Sequence, residues 1–236
     1  MSRHSQTPDS RSQAADARTG HGGAGATLAR RANANPAHWS TAAIAEMAIA
    51  VALAAALGLV KLFVMPQGGS VSLEMLPILF IAVRRGLVPA RTVGVVYGFV
   101  QLLLPGAFLV QPLQVLLDYP LAFAALGLAG LVPVPAAPVR FSRGEIRRSP
   151  VSVALFVGAL SGAVGLGVSA RFVCHFLSGI IFFGSYAPAG QAVWVYSLTY
   201  NLLYLAPEAV ITVVLLSFLL VAYDEAGAAR GGHSAS

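Results

Sequence analysis

The 236-residue sequence has a single cysteine, Cys174, and only 10% of its residues are charged. One cysteine excludes a disulfide framework within the chain and a cysteine-based zinc site. Soluble domains carry about 25% charged and 45–50% apolar residues. Here 57% are hydrophobic and the mean hydropathy is +0.75, which excludes an ordinary soluble globule. The same apolar excess excludes a chain that is disordered throughout. Familiar catalytic motifs are also missing. There is no G-x-x-x-x-G-K-[ST], so the chain does not hydrolyse ATP by itself. Neither H-E-x-x-H nor G-x-S-x-G occurs. His175 has only Cys174 beside it, about 100° away around a helix, so no metal site is expected. Gly165-x-Gly167-x-x-Ala170 mimics a dinucleotide fingerprint, but it lies in an apolar run with no strand before it. No cofactor is implied, and an enzyme is not expected.

What is present is apolar sequence in long runs. Residues 1–39 are rich in Ser, Ala, Gly, Asn and Arg and read as a disordered tail. Six apolar segments follow, at about 41–64, 71–83, 86–104, 110–132, 151–183 and 191–223. A crossing takes about 20 residues, so the second is short. The basic residues support counting it. Thirteen of the fifteen Lys and Arg fall before segment one, around the junction of two and three, between four and five, or after six. The other three connections, near 65–70, 105–109 and 184–190, carry no charge. Positive charge marks the cytoplasmic side. The net charge of +6 is therefore a topology signal, not a nucleic-acid footprint. The expected fold is an all-α bundle of six transmembrane helices over residues 40–223, in a cell membrane. Both termini are cytoplasmic, and a second disordered tail spans 224–236.

Ionisable residues inside a span are costly and point to function. Glu46, Lys61 and Arg91 lie near span ends and read as snorkelling side chains. The remainder converge in depth. Asp118 and Tyr119 on segment four, Arg171 and His175 on five, and Tyr196 and Asn201 on six lie roughly 8–18 Å below the outer surface, and Glu74 opens segment two on the same side. Arg171, His175, Gly179 and Phe183 form one stripe at intervals of four. Gly179 leaves room there for a ligand or a close helix. Gln111, Gln114 and Asp118 form a second polar stripe, and Ser197 and Asn201 are four apart. Interhelical hydrogen bonds alone would account for a lone Asn or Ser. An Asp, an Arg, a His and an Asn at one depth, bordered by aromatics, favour an outward-facing site for a flat, polar, cationic solute. Two small-residue patterns, Gly158/Gly162 and Ala48/Ala52/Ala56, suggest close helix packing, the second equally well within the chain or against another protein.

The stretch RFVCHFLSGIIFFGSYAPAGQAVWVYSLTYN (171–201) resembles the fifth-to-sixth helix signature of the thiamine-specific substrate-binding S components of energy-coupling factor (ECF) transporters. LLDYPLAFAALGLAGL (116–131) and LPILFIAVRRG (76–86) are similar to other segments of that family. The resemblance implies a six-helix S-component fold that binds thiamine near the outer face. By position, His175 and Asn201 would contact the aminopyrimidine, with Tyr196 beside them, and Gly179 would make room. Asp118 stands for the family's glutamate and would hold the amino group or balance the thiazolium. Tyr119 follows it as in the family. Arg171 replaces a lysine, Phe183 a stacking tryptophan and Phe108 a tyrosine. A tryptophan of the first outer loop, expected near Ser70, is missing. The resemblance also implies partners: a transmembrane coupling subunit docking on Ala48, Ala52 and Ala56, and two ATPase subunits. Other readings remain: an S component for a related pyrimidine or another vitamin, a stand-alone carrier using Asp118 or Glu208 as its proton site, or a membrane assembly protein without a ligand.

Overall fold

The computed structural model describes residues 39–138, 140–142, 145–147 and 149–233. Residues 1–38 of the expected tail, and Arg143 and Arg148 of the basic connection, lie outside the described residues. Helix α1 (Thr41–Leu59) starts where Ser40 Oγ accepts the Ala43 N–H, a side-chain N-cap. Then come strands β1 (Lys61–Val64) and β2 (Ser70–Ser72), followed by α2 (Met75–Arg85) and α3 (Leu87–Gln101). Pro112–Leu131 forms one composite helix, α4. A short hairpin pairs β3 (Arg140–Ser142) with β4 (Glu145–Arg147). The chain ends in α5 (Pro150–Phe182) and α6 (Val193–His233).

The helices pack as a bundle, α5 against α4 and α6, and α3 against α1, α2 and α4. Four of them, α1, α4, α5 and Val193–Ala226 of α6, are long and apolar enough to cross a membrane. Their outer faces expose large apolar side chains such as Ile49, Leu155, Leu203, Val210 and Phe218. A soluble monomer does not leave that much apolar surface in water. Lipid does not penalise it, and helices satisfy their own backbone groups there. At 1.5 Å per residue, α2 and α3 reach only about 16 and 22 Å, short of a hydrocarbon core of about 30 Å.

The structure corrects the expected segments at three places. The first apolar run does not continue as helix to Val64. It ends at Leu59, and Val60 to Val64, rich in β-branched residues, turns back as a hairpin. Gly68, at φ 92°, supplies the left-handed turn residue, and the Met65 N–H donates to the Gly69 carbonyl. The last helix continues to His233, through residues read as a disordered tail. Gly158 and Gly162 meet no other part of the described chain: a Cβ at either would have nothing within 4 Å. The glycines that do pack helices are elsewhere.

α4 is the irregular element that places the site. Pro120 cannot donate to the helical ladder, and its ring crowds the preceding turn. The helix answers with a π-turn over Leu117–Leu121, then an α-turn, then 3-10 geometry over Leu126–Leu131. The widened turn carries Asp118 and Tyr119. Its backbone rests directly on Gly98 of α3, where a Cβ would stand 2.5 Å from Pro120 Cα.

The two ends of the bundle differ. At one end Glu46 Oε2 accepts from Arg85 Nε at 2.7 Å, and Arg84 pairs with Asp224 at 3.2 Å while lying 4.1 Å over the Tyr223 ring. The Ala137 N–H also donates to Asp224, at 2.9 Å. The hairpin β1–β2 and the start of α6 form the other end. Gly98→Ala should drive the new methyl into the π-turn and destabilise the fold by about 1–3 kcal/mol, read as a lowered melting temperature of the detergent-solubilised protein.

Candidate ligand-binding cavity

A cavity of about 910 Å³, open mouth included, lies at the hairpin end. Asp118, Tyr119, Arg171, His175, Gly179, Phe183, Tyr196 and Asn201, the eight residues singled out in the sequence, all line it. They come from α4, α5, the turn after it, and α6, whose side chains meet at one level.

A hydrogen-bonded chain runs through the wall. Glu74, at the N-cap of α2, is 3% exposed. Its Oε2 accepts from the Tyr97 hydroxyl at 2.8 Å and from Gln101 Nε2 at 3.0 Å. Its Oε1 pairs with Arg171 Nη2 at 3.1 Å. The Arg171 guanidinium lies 4.1 Å over the Phe123 ring. Its Nε donates to His175 Nε2 at 3.2 Å. An arginine nitrogen can only donate. His175 Nε2 is thus an acceptor and the ring proton is on Nδ1, which faces Asp118 Oδ1 at 3.1 Å. Asp118 Oδ2 accepts from Gln114 Nε2 at 2.7 Å and from Ser178 Oγ at 2.8 Å. Glu74 therefore has the arginine as its counter-charge, while Asp118 is surrounded by neutral donors. Asp118 is the carboxylate whose charge is left for an incoming cation.

The other walls are aromatic and polar. Tyr119 Oη accepts from the Phe108 N–H at 2.7 Å and donates back to its carbonyl at 3.2 Å, holding the 105–109 connection over the site. Phe108 and Phe183 face each other with centroids 5.8 Å apart. On α6, Asn201 Nδ2 donates to the Ser197 carbonyl at 2.8 Å and Oδ1 accepts from the Tyr204 hydroxyl at 2.8 Å. Gly179 serves the close-helix reading: a Cβ there would strike Ser197 Oγ of α6. The hairpin covers part of the mouth. Gly69 N–H donates to Tyr200 Oη at 3.1 Å, and the Tyr196 hydroxyl donates to Gln67 Oε1 at 3.2 Å.

Sequence reasoning missed several wall residues. Lys61, read as snorkelling, is on β1 and lines the mouth. Tyr200 and Tyr204 continue Tyr196 at intervals of four, a stripe that periodicity would have found. Gln101 also lines the cavity; Tyr97, four residues before it, is buried behind the wall, and only the fold brings both to Glu74. Gln67, in the turn, leaves no signal in sequence. Gln111 of the second polar stripe is exposed, and only Gln114 and Asp118 turn inward.

The sequence model of the thiamine transporter protein family (Thia_YuaJ) matches residues 44–227, most of the chain and all of the cavity. The chain belongs to the thiamine transporter family. It is 42% identical over 180 residues to the thiamine transporter ThiT of Bacillus subtilis, covering 75% of this chain and 88% of that protein. It is 35% identical over 202 residues to ThiT of Lacticaseibacillus paracasei, covering 84% and 96%. The solved structure of ThiT from Listeria monocytogenes shares the fold, with a TM-score of 0.62 at 24% identity over 75% of this chain and 92% of that one. Thiamine transporters are membrane proteins without a catalytic step, and the apolar helices accord with that.

Breaking a buried ion pair leaves an uncompensated charge and costs about 3–5 kcal/mol, whereas replacing both partners by apolar groups is often neutral. Glu74→Leu alone should therefore destabilise the protein strongly. Glu74→Leu combined with Arg171→Met should recover most of the loss. Thermal unfolding in detergent, followed by size-exclusion, distinguishes these outcomes.

Proposed function

We propose that this chain is the substrate-binding subunit of an ECF vitamin importer, capturing thiamine from outside the cell. The observation that carries the reading is the Asp118 carboxylate, half-buried among Gln114, Ser178 and His175 without a cationic partner, in a cavity walled by tyrosines and phenylalanines. Thiamine is flat, polar and cationic, and its aminopyrimidine offers donors and acceptors along one edge. Asp118 accepts from the amino group or balances the thiazolium. His175 and Asn201 meet the ring edge, with Tyr119 and Tyr196 beside it. Phe183 offers a ring face, and Arg171 fixes His175. Relatives named as thiamine transporters, at 42% and 35% identity, support the choice of ligand.

The topology proposed is six spans across residues 40–223 with both termini cytoplasmic. Arg84 and Arg85 lie at the bundle end opposite the cavity, which supports an outward-facing mouth. The short α2 and α3 cross with the hairpin completing the outer layer. Ala48, Ala52 and Ala56 are exposed on α1, an accessible small-residue face for the transmembrane coupling subunit. The chain has no ATP-binding motif of its own, so two ATPase subunits supply the energy.

Calorimetric titration of the purified protein with thiamine tests the reading. Saturable binding at micromolar ligand or below is expected, and its absence overturns it. Titrating the isolated pyrimidine and thiazole fragments locates the edge that is read. His175→Ala and Asn201→Ala should each weaken binding by about 1–3 kcal/mol, because a buried polar edge of the ligand loses its partner. Wild-type affinity in both variants would remove the site assignment.

A further inference from the structure

Glu208 is a buried acid outside the cavity wall. It lies on α6 immediately after Pro207, is 0% exposed, and forms no ion pair among the described residues. Such a group in an apolar bundle is costly, so its surroundings bear on what it does. Its Oε1 accepts from Ser72 Oγ at 3.1 Å, and Ser72 Oγ accepts in turn from the Glu74 N–H at 3.3 Å. Ser72 is the last residue of β2, the inner strand of the hairpin that covers the mouth. Glu74 begins the chain of contacts that runs through Arg171 and His175 to Asp118.

We propose that Glu208 is a positioning residue for the cavity: through Ser72 it anchors the inner strand of the hairpin, and with it Glu74 and Arg171, without touching the ligand. The inference rests on the cavity being a ligand site. Three fastenings hold the hairpin, all to α6 at positions 196, 200 and 208, spaced by four and eight so that they share one face. The two near the tip join neutral groups and are partly exposed. The third is buried, with Ser72 and Glu208 both 0% exposed, so breaking it would leave a donor and an acceptor unpaired with no water to replace them. The hairpin is therefore held firmly at Ser72 and lightly at its tip, as a flap hinged at its inner strand. On the inward side, Glu208 Oε2 and Arg171 Nη1 are both buried without a hydrogen-bond partner. Through Ser72 and Glu74, Glu208 is linked to the same arginine that donates to His175.

Hydrogen exchange of the full-length, ligand-free protein in detergent tests the anchor, and release of radiolabelled thiamine tests its effect on the site. Ser72→Ala and Glu208→Leu should each raise amide exchange across 61–72 about 10-fold, leave α4 amides near wild type, lower the melting temperature by only about 2–4 °C, and speed thiamine release about 10-fold. The double variant should be no worse than either single one. Glu208→Gln keeps an acceptor for Ser72 and should restore both readouts. Unchanged hairpin exchange, additive effects, or a Gln variant as damaged as the Leu variant would each overturn the proposal, the last by making the charge rather than the acceptor essential. Should Glu208→Leu fail to fold, Ser72→Ala decides by the same exchange readout. If the wild type does not bind thiamine, the proposed function fails, while the exchange experiment still decides whether Glu208 anchors the hairpin.

Discussion

An arginine does not give up its proton, so one carried into an apolar bundle must meet acceptors already in place. Arg171 is 4% exposed, and what it meets organises the site. Glu74 takes one nitrogen, His175 takes another, and the Phe123 face covers the plane. The consequences run in both directions. Toward α2, the pair ties α5 to the start of a helix that is otherwise short. Toward α4, the arginine's donation to His175 Nε2 leaves the ring proton on Nδ1, where it points at Asp118. Removing the arginine would leave His175 Nε2 without its donor and Glu74 without its counter-charge. The orientation of the cavity-facing groups thus depends on an ion pair set back in the wall.

The division of the molecule into two ends follows from where charge can be tolerated. Arg84, Arg85, Glu46 and Asp224 pair with one another at one end, partly exposed, where water or lipid headgroups can solvate them. The connections at the opposite end carry no formal charge at 65–70, 105–109 and 184–190. The first two are fastened instead by tyrosine hydroxyls: Tyr119 to the Phe108 backbone, Tyr200 to Gly69 and Tyr196 to Gln67. Neutral fastenings can break and re-form at modest cost in free energy, about 0.5–1.5 kcal/mol each. A cover over a binding cavity requires that property, and a salt bridge at the same place would hold it shut more firmly.

Helix positions and cavity residues were legible in the sequence to different degrees, for physical reasons. Apolar runs and the alternation of basic residues located α4, α5 and the start of α6 to within a few residues, because burial in lipid leaves a composition that a window can read. Six of the eight cavity residues were legible because polar side chains are rare in such runs, so each one stands out; Gly179 and Phe183 were legible only by their helical spacing from His175. The hairpin was not legible: Val60 to Val64 is as apolar as the helix before it, so nothing in composition marks the end of the helix at Leu59. The π-turn was hidden for a related reason. Pro120 announces a break but not how the backbone repairs it. Glu74 was seen at the right depth, yet its partners Tyr97, Gln101 and Arg171 lie 23, 27 and 97 residues away along the chain. Helical spacing is silent over such separations.

The shorter acid at position 118 is compatible with a tight site once its hydrogen bonds are counted. A carboxylate offers about four lone-pair positions. Gln114 and Ser178 occupy Oδ2, and His175 occupies one position on Oδ1. One acceptor position remains, on the oxygen that His175 also holds. Three neutral donors fix the carboxylate's orientation without cancelling its charge, so the remaining position is both directed and negative. The π-turn supports this by carrying Asp118 on a widened coil whose backbone rests on Gly98, a contact that leaves little room for the turn to shift. A side chain one methylene longer would reach further but would have another torsion to order. In the proposed role, aspartate gives up reach for rigidity. The selectivity of the cavity then depends on whether a ligand brings one donor to that single position while its positive charge lies close by.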